Sequence, residues 1–187
     1  MESAFLGGQL LIAMPGISDT RFERALILVC AHDSQHAMGV AVNQPVEGLT
    51  VPDLLQKLQV HSTIQVPPDL VRLGGPVERG RGFVLHTDDF RPEFSLGVEG
   101  GLMLSATREV LEAMASHNRH PRRALLALGY AGWGAGQLES EIRQNVWLTV
   151  AADEALVFDD DFETKWTRAI GKLGVDPTFL SSEAGEA

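Results

Sequence analysis

The stretch from Leu128 to Leu148 reads LGYAGWGAGQLESEIRQNVWL. It continues the apolar run ALLALGY at 124–130, which predicts a central strand buried on both faces. The glycines that follow alternate with Tyr130 and Trp133. Glycine permits positive φ and close backbone approach, so this part predicts a tight, exposed turn that holds one or two rings against a neighbouring surface.

Beyond Gly136 the spacing of apolar residues becomes that of a helix. Leu138 and Ile142 lie four residues apart, which predicts a short helix. Glu139 and Glu141 are two residues apart near its start, so they face different directions and do not form an acid–base pair. We expect both to be surface charges that the helix dipole favours.

The rest of the chain combines short apolar runs with few helical patterns. Strands are predicted at 8–14, 25–30, 38–43, 83–86, 145–150 and 154–158, and 87–100 is predicted to be a long surface loop. The segment 71–86, VRLGGPVERGRGFVLH, predicts an irregular hairpin around its Gly-Gly-Pro turn. Helices are predicted to begin at Thr50, at Ser105 or Thr107, and at Asp160 or Asp161. Without regular strand–helix alternation, this order favours an α+β fold over a doubly wound sheet.

Composition narrows the class of protein. The 187 residues are 44% hydrophobic and 21% charged, which suits one compact domain over 1–187 with fraying at about 181–187. The formal net charge of −10 repels phosphate backbones, so direct nucleic-acid binding is not expected. The single cysteine, Cys30, fits a reducing compartment. No segment is apolar for long enough to span a membrane, and we expect a cytoplasmic protein without cofactor or metal.

Several blocks together resemble the YqgE/AlgH family of small bacterial proteins. They are LLIAMPGISDTRFERALILVCAH, AMGVAVNQP, LGGPVERGRGFVLH, LGYAGWGAGQLESEIRQNVWLT and LGVDPTFLS, in this order along nearly the whole chain. The resemblance implies an α+β domain with a complex, strongly coiled mixed sheet, mainly antiparallel, and a few flanking helices. One branch of the family is named as a transcriptional regulator of alginate synthesis, and the family implies no particular reaction.

The distinctive residues shape surfaces and do not form a set of nucleophile, base and orienting group. We therefore expect a non-enzymatic binding or regulatory module that uses a shallow groove between two glycine-rich elements, with an unknown protein or small molecule as partner. The rings of Tyr130 and Trp133 either face this groove or fill the core. Arg79 and Arg81 are candidates to hold an anion or a partner's carboxylate. The candidate binding residues are Asn43, Gly74, Gly75, Pro76, Arg81, His86, Tyr130, Trp133, Gln137, Glu139 and Asn145.

Two other functions remain as alternatives. A hydrolase-like enzyme would draw on His32, His86, Arg81 and Glu139, and it needs a histidine within reach of a carboxylate or of Cys30 in one cleft. A DNA-binding regulator would use the basic cluster NRHPRR at 118–123, although no helix-turn-helix pattern is present. The loop motif of His32, Asp33 and His36 lacks the helical spacing of a metal site, and LGGPVERGRG lacks the order of a phosphate-binding loop.

Overall fold

The computed structural model of the chain describes residues 5–116 and 120–174. The predicted tail at 181–187, part of the last family block and part of the basic cluster lie outside the described residues. Within the described residues the strands are β1 (Gln9–Ala13), β2 (Leu26–His32), β3 (His36–Ala41), β4 (Pro45–Thr50), β5 (Leu70–Leu73), β6 (Val77–Thr87), β7 (Leu96–Val98), β8 (Leu102–Ser105), β9 (Ala124–Gly134) and β10 (Trp147–Ala151). The helices are α1 (Val51–Lys57), α2 (Arg108–Met114), α3 (Gln137–Arg143), α4 (Glu154–Phe158) and α5 (Phe162–Lys172), with a short 3-10 helix at Thr20–Phe22.

The strands form one curled, mainly antiparallel sheet in the order β10-β1-β2-β3-β9-β6-β8-β7. Both faces of its middle strands are covered by other elements. In β1, Leu10 and Ile12 join the core beneath α4 and α5, whereas Leu11 and Ala13 join the core beneath α3. This burial on two sides explains why β1 is a continuous apolar run without alternation. The α+β fold with a coiled mixed sheet is therefore confirmed.

Strand β9 is the hub of the sheet. Its first part pairs antiparallel with β6, its last part pairs antiparallel with β3, and residues 127 and 128 also pair parallel with β5. Strand β4 attaches to the sheet only through β5. The predicted hairpin at 71–86 is wrong, because β5 and β6 do not pair with each other. Both instead flank β9, which comes much later in the sequence.

One of the predicted helix starts, that of α1, has the expected capping chemistry. At α1 the Thr50 side chain accepts the Asp53 N–H, and the Asp53 carboxylate accepts the Thr50 N–H. This reciprocal capping box confirms the predicted start. Helix α5 begins directly after Asp161 as predicted, but the Asp161 side chain makes no capping hydrogen bond; Gly174 follows the end of the helix with positive φ.

Four segments differ from the sequence prediction. The run EALVF is helix α4 and not a strand, because the Asp153 side chain caps it by accepting the Leu156 N–H. Strands β4 and β8 were missed, and the predicted loop at 87–100 contains β7. These are short strands whose pairing depends on distant partners. No helix in the described part of the chain is long and apolar enough to cross a membrane.

Candidate functional site

The segment Gly74-Gly75-Pro76, between β5 and β6, runs along β9 at backbone contact distance. The Gly74 N–H donates to the Leu128 carbonyl over 2.8 Å. A Cβ atom on Gly75 would lie 2.1 Å from the carbonyl carbon of Tyr130, so a side chain cannot fit there without moving the backbone. The two glycine-rich elements expected to share a surface thus lie against each other.

The exposed turn predicted at GYAGW is wrong, since these residues continue β9. Trp133 stands opposite Ala37 of β3 in the ladder, is only 6% exposed and packs edge-on against Trp147 with 6.0 Å between ring centroids. Tyr130 is half-buried and meets the Phe83 ring edge-on at 5.8 Å. The Trp133 ring therefore belongs to the core and presents only an edge to solvent.

A carboxylate on α3 holds both buried indoles. The Nε1–H groups of Trp133 and Trp147 donate to Oε1 of Glu141 over 3.0 and 2.9 Å. Gln137 Nε2 donates to the other oxygen of Glu141 over 2.9 Å, while Gln137 Oε1 accepts the Gly134 N–H. Glu141 is thus a structural acceptor between α3 and the sheet, and its prediction as a free surface charge is wrong.

Two separate cavities, of about 440 and 660 Å³, lie beside the seam between the glycine-rich elements. Val77, Gly132 and Trp133 line both cavities, and Val77 is 36% exposed. We call the two cavities together the groove. Its first part is also lined by Asp19, Arg21, Pro76, Gln137, Glu141 and Trp147, and its second part by Met38, Arg81, Phe83, Leu96 and Tyr130.

The charged rim of the groove comes from an irregular part of β6. The pairing of β6 with β9 shifts just after Val77, which leaves residues 78–81 outside the regular ladder. Arg81 is exposed at this bulge, with its guanidinium 5.1 Å from the Phe83 ring centre. Its Nη1 lies 3.8 Å from Oε1 of Glu78, and both side chains are about half exposed. A pair this exposed is weak and leaves the Arg81 cation open to a partner.

Asn43 and Asn145 do not line the groove. Asn43 accepts the Leu26 N–H over 2.9 Å and donates to the Arg24 carbonyl over the same distance, which ties the start of β2 to the chain after β3. Asn145 follows α3 with φ of 60°, a turn conformation that asparagine tolerates well. In the described residues, Asn43 therefore supports the backbone through its side-chain amide, and Asn145 through its turn conformation.

His86 is fully buried, away from the groove. Its Nδ1 donates to the Thr87 carbonyl over 2.9 Å, so Nε2 accepts from the Ser105 hydroxyl over 2.8 Å. Ser105 also shares a 2.7 Å hydrogen bond with Ser95. Burial lowers the pKa of His86, which favours this neutral form. Sequence reasoning missed this chain of hydroxyl groups, because the two serines carry no recognisable spacing relative to the histidine.

His32 and Glu139 do approach each other. Nε2 of His32 lies 3.2 Å from Glu139 Oε2, off the line of a good hydrogen bond, and Nδ1 accepts the Leu6 N–H over 3.0 Å. Cys30 is buried in the core on β2, where burial raises the pKa of its thiol to about 12. An inert thiol at this position agrees with its apolar surroundings.

His32 and Glu139 come within 3.2 Å, as the hydrolase alternative requires of a histidine and a carboxylate, but the other two side chains it draws on lie elsewhere. His86 is bonded to hydroxyl groups, His32 faces Glu139, and Arg81 lies at the groove. His36 lies 3.2 Å from Asp33 at the end of the β2–β3 loop, whereas His32 faces Glu139. Over residues 5–116 and 120–174, no three His, Cys, Asp or Glu side chains converge as metal ligands would.

The family model described as DUF179, AlgH-like, matches residues 10–178. The chain belongs to this AlgH-like family. A UPF0301 protein of Caulobacter vibrioides is 62% identical over 187 residues, covering 100% of this chain and 96% of the relative. A UPF0301 protein of Rhodospirillum rubrum is 49% identical over 186 residues, with the same two coverages.

Solved structures agree with the fold. The solution structure of the AlgH protein from Pseudomonas aeruginosa has a TM-score of 0.77 and 36% identity, and the match covers 100% of this chain and 98% of that one. A crystal structure of a Corynebacterium diphtheriae protein has a TM-score of 0.71 over 92% and 90% of the two chains. At 18% identity, this second likeness concerns the fold alone. The names of these relatives specify no reaction or ligand, so function is inferred from geometry.

Proposed function

We propose that the chain is a non-enzymatic binding or regulatory module that recognises a protein partner through the groove. The observation that carries this proposal is that two cavities share Val77, Gly132 and Trp133 as lining residues, beside the seam of the glycine-rich elements. Close backbone contact at Gly75 makes this wall rigid. A rigid concave surface binds a partner with a smaller loss of conformational entropy than a mobile one.

The lining predicts the chemistry of the partner. Val77 and Leu96 present exposed apolar surface, and the half-buried Tyr130 and the buried Phe83 line the same cavity. The Arg81 guanidinium lies on the same side, with only a weak, exposed contact to acid. A segment with an apolar side chain next to an Asp, a Glu or a terminal carboxylate fits this combination.

Charge argues against nucleic acid as the partner. The net charge of −10 repels a phosphate backbone, and the described part of the basic cluster is partly neutralised. Both terminal nitrogens of Arg122 bind the Glu154 carboxylate at 2.7 Å. A role in the cytoplasm, beside other soluble proteins, is the setting that this proposal implies, in keeping with the lone reduced Cys30.

Affinity capture with groove variants tests the proposal. Val77→Glu and Arg81→Glu change exposed side chains, whereas a Trp133 variant would disturb the core. Arg91→Glu is the matched control, because Arg91 is an exposed arginine with an i,i+3 acidic neighbour outside the groove. We expect wild type and Arg91→Glu to capture one specific protein that both groove variants fail to capture. Once purified, that protein should bind wild type again. Identical partners for all four proteins would contradict the groove.

A further inference from the structure

His32 ends β2 and is in contact with the chain that precedes β1. We call residues 5–8 of that chain the clamp segment. The His32 side chain is only 1% exposed. The Leu6 N–H donates to its Nδ1 over 3.0 Å, and the Phe5 ring meets the imidazole edge-on at 5.0 Å between ring centres. The clamp segment is thus held against β2 partly by a titratable side chain.

The hydrogen bond from Leu6 selects one form of the ring. Nδ1 can accept it only while this nitrogen carries no proton, so the proton of the neutral imidazole is on Nε2. Nε2 lies 3.2 Å from Glu139 Oε2 and has no well-aligned hydrogen bond among the described residues. The neutral ring therefore satisfies Leu6 well and Glu139 poorly.

A second proton on His32 reverses this balance. An imidazolium donates from both nitrogens, so Nδ1–H and the Leu6 N–H would face each other as two donors at 3.0 Å. On the other side of the ring, the pKa of Glu139 is lowered first by its own backbone N–H and then by His32. Its carboxylate is therefore ionised above about pH 5 and attracts the imidazolium. The charged ring suits α3 and repels the clamp segment.

The other charged groups around His32 do not supply an acceptor for Nδ1–H. Arg143 lies beside Glu139 on α3, Asp33 is engaged by backbone N–H groups of its own loop, and Glu99 lies against the end of the clamp segment. The clamp segment itself has no titratable side chain. Among the described residues, only the Leu6 N–H bonds to Nδ1, so a proton there needs water as its acceptor. Water reaches this buried nitrogen once the clamp segment moves away.

The local backbone allows this movement. The Gly8 N–H donates to the Val29 carbonyl over 2.9 Å, which fixes the chain where β1 begins. A Cβ on Gly7 would meet no atom within 4 Å, so the chain can rotate there. Opening breaks the turn bond from the Gln9 N–H to the Leu6 carbonyl and withdraws Leu6 from the core beneath α3.

We propose that His32 and the clamp segment form a pH-sensitive switch, closed over the neutral ring and opened by its protonation, which exposes the imidazole and apolar surface beneath α3. Histidine changes its charge between about pH 5 and 8. Because the closed form binds the proton less well than the open form, its population falls as the pH falls. The switch uses no residue of the groove, so it and the proposed function can fail separately.

NMR of the full chain between about pH 5 and 8 tests the switch. The His32 ring signals report protonation, and hydrogen exchange of the Leu6 amide reports opening. After correction for the intrinsic pH dependence of exchange, we expect the protection of Leu6 to fall about tenfold or more toward pH 5, in step with protonation of His32. The Leu11 amide in the buried strand β1 should stay protected, which separates local opening from unfolding.

Three variants sharpen the test. His32→Gln removes the titratable ring and should make Leu6 protection independent of pH. Glu139→Gln removes the carboxylate that favours the charged ring, so opening should require a lower pH. His36→Gln is the matched control, because His36 is an exposed histidine 3.2 Å from an aspartate, and its loss should leave the midpoint unchanged.

Two results on wild type would overturn the proposal. One is full Leu6 protection at pH 5 while His32 is charged, and the other is a His32 ring that stays neutral throughout the range. Unchanged pH dependence of Leu6 protection in His32→Gln would overturn it as well.

Discussion

At the residue scale, Gly75 is the position at which the structure most directly requires a glycine. An added Cβ would lie 2.1 Å from the Tyr130 carbonyl carbon, inside any normal contact distance. Gly75→Ala should therefore lower the free energy of unfolding by about 3 kcal/mol or more, through overpacking against a backbone that cannot yield. Urea denaturation of the purified variant measures the loss.

Gly82→Ala is the control for that change. Gly82 lies in the strand that follows, β6, and a Cβ there meets no atom within 4 Å. We expect its free energy of unfolding to change by less than about 1 kcal/mol. Equal effects at Gly75 and Gly82 would show that the seam between the glycine-rich elements is looser than the structure has it.

Lys165 gives a prediction about pH. Its side chain is fully buried and donates to the Val157 carbonyl over 3.0 Å. Burial, followed by the nearby Arg72 charge, lowers the pKa of Lys165 from 10.5 to about 7. Between these two values the unfolded chain holds a proton that the folded chain lacks, so this group makes stability rise with pH.

Lys165→Met should remove that dependence. The stability of Lys165→Met relative to wild type should be highest at about pH 6, where wild type bears the full cost of burying the Lys165 charge. This advantage of the variant should decline toward about pH 10. The shift in pKa sets an upper bound of about 5 kcal/mol on the change between these limits. Reversible urea unfolding across this range measures it, with the exposed Lys57→Met as control. A stability difference that stays constant with pH would contradict this account of Lys165.

At the element scale, one carboxylate on α3 holds the indoles of both adjoining strands. Removing Glu141 leaves the Nε1–H groups of Trp133 and Trp147, both buried, without their acceptor. We expect Glu141→Ala to cost about 2 to 4 kcal/mol of stability. Urea denaturation monitored by tryptophan fluorescence measures this, because both indoles also change their surroundings.

Glu139→Ala, on the same helix, serves as the comparison. Its carboxylate bonds to its own backbone N–H and faces His32 at 3.2 Å, with its pKa lowered first by that amide and then by His32. It does not hold a tryptophan. We expect its loss to cost less than about 1 kcal/mol, as is usual for a partly exposed pair. A cost for Glu141→Ala no larger than this would contradict the role given to Glu141.

Elements with a local chemical signal could be predicted from sequence. The capping box at Thr50 and the apolar spacing of Leu138 and Ile142 each place a helix where it occurs. The run EALVF failed because its four consecutive apolar residues fit a strand as well as a short helix, and the Asp153 cap decides between them. The hairpin at 71–86 failed because its strands pair with β9, and pairing between distant segments leaves no local pattern.

At the scale of the whole molecule, part of the candidate site followed from composition. Six candidate residues lie at the groove or in its wall, because glycine-rich segments can pack closely where they meet. They are Gly75, Pro76, Arg81, Tyr130, Trp133 and Gln137. Whether Trp133 is exposed or buried did not follow from the sequence, because its burial depends on α3, which covers the indole and binds it through Glu141.

The central claim is that the seam between the glycine-rich elements is a contact surface for a protein partner. Site-specific photo-crosslinking in living cells tests it most directly, with the photoreactive residue at position 81 or, as control, at position 91. We predict a discrete crosslinked product from position 81 that is absent from position 91 and is abolished by adding Val77→Glu. The same products from both positions, or none from position 81, would contradict the account.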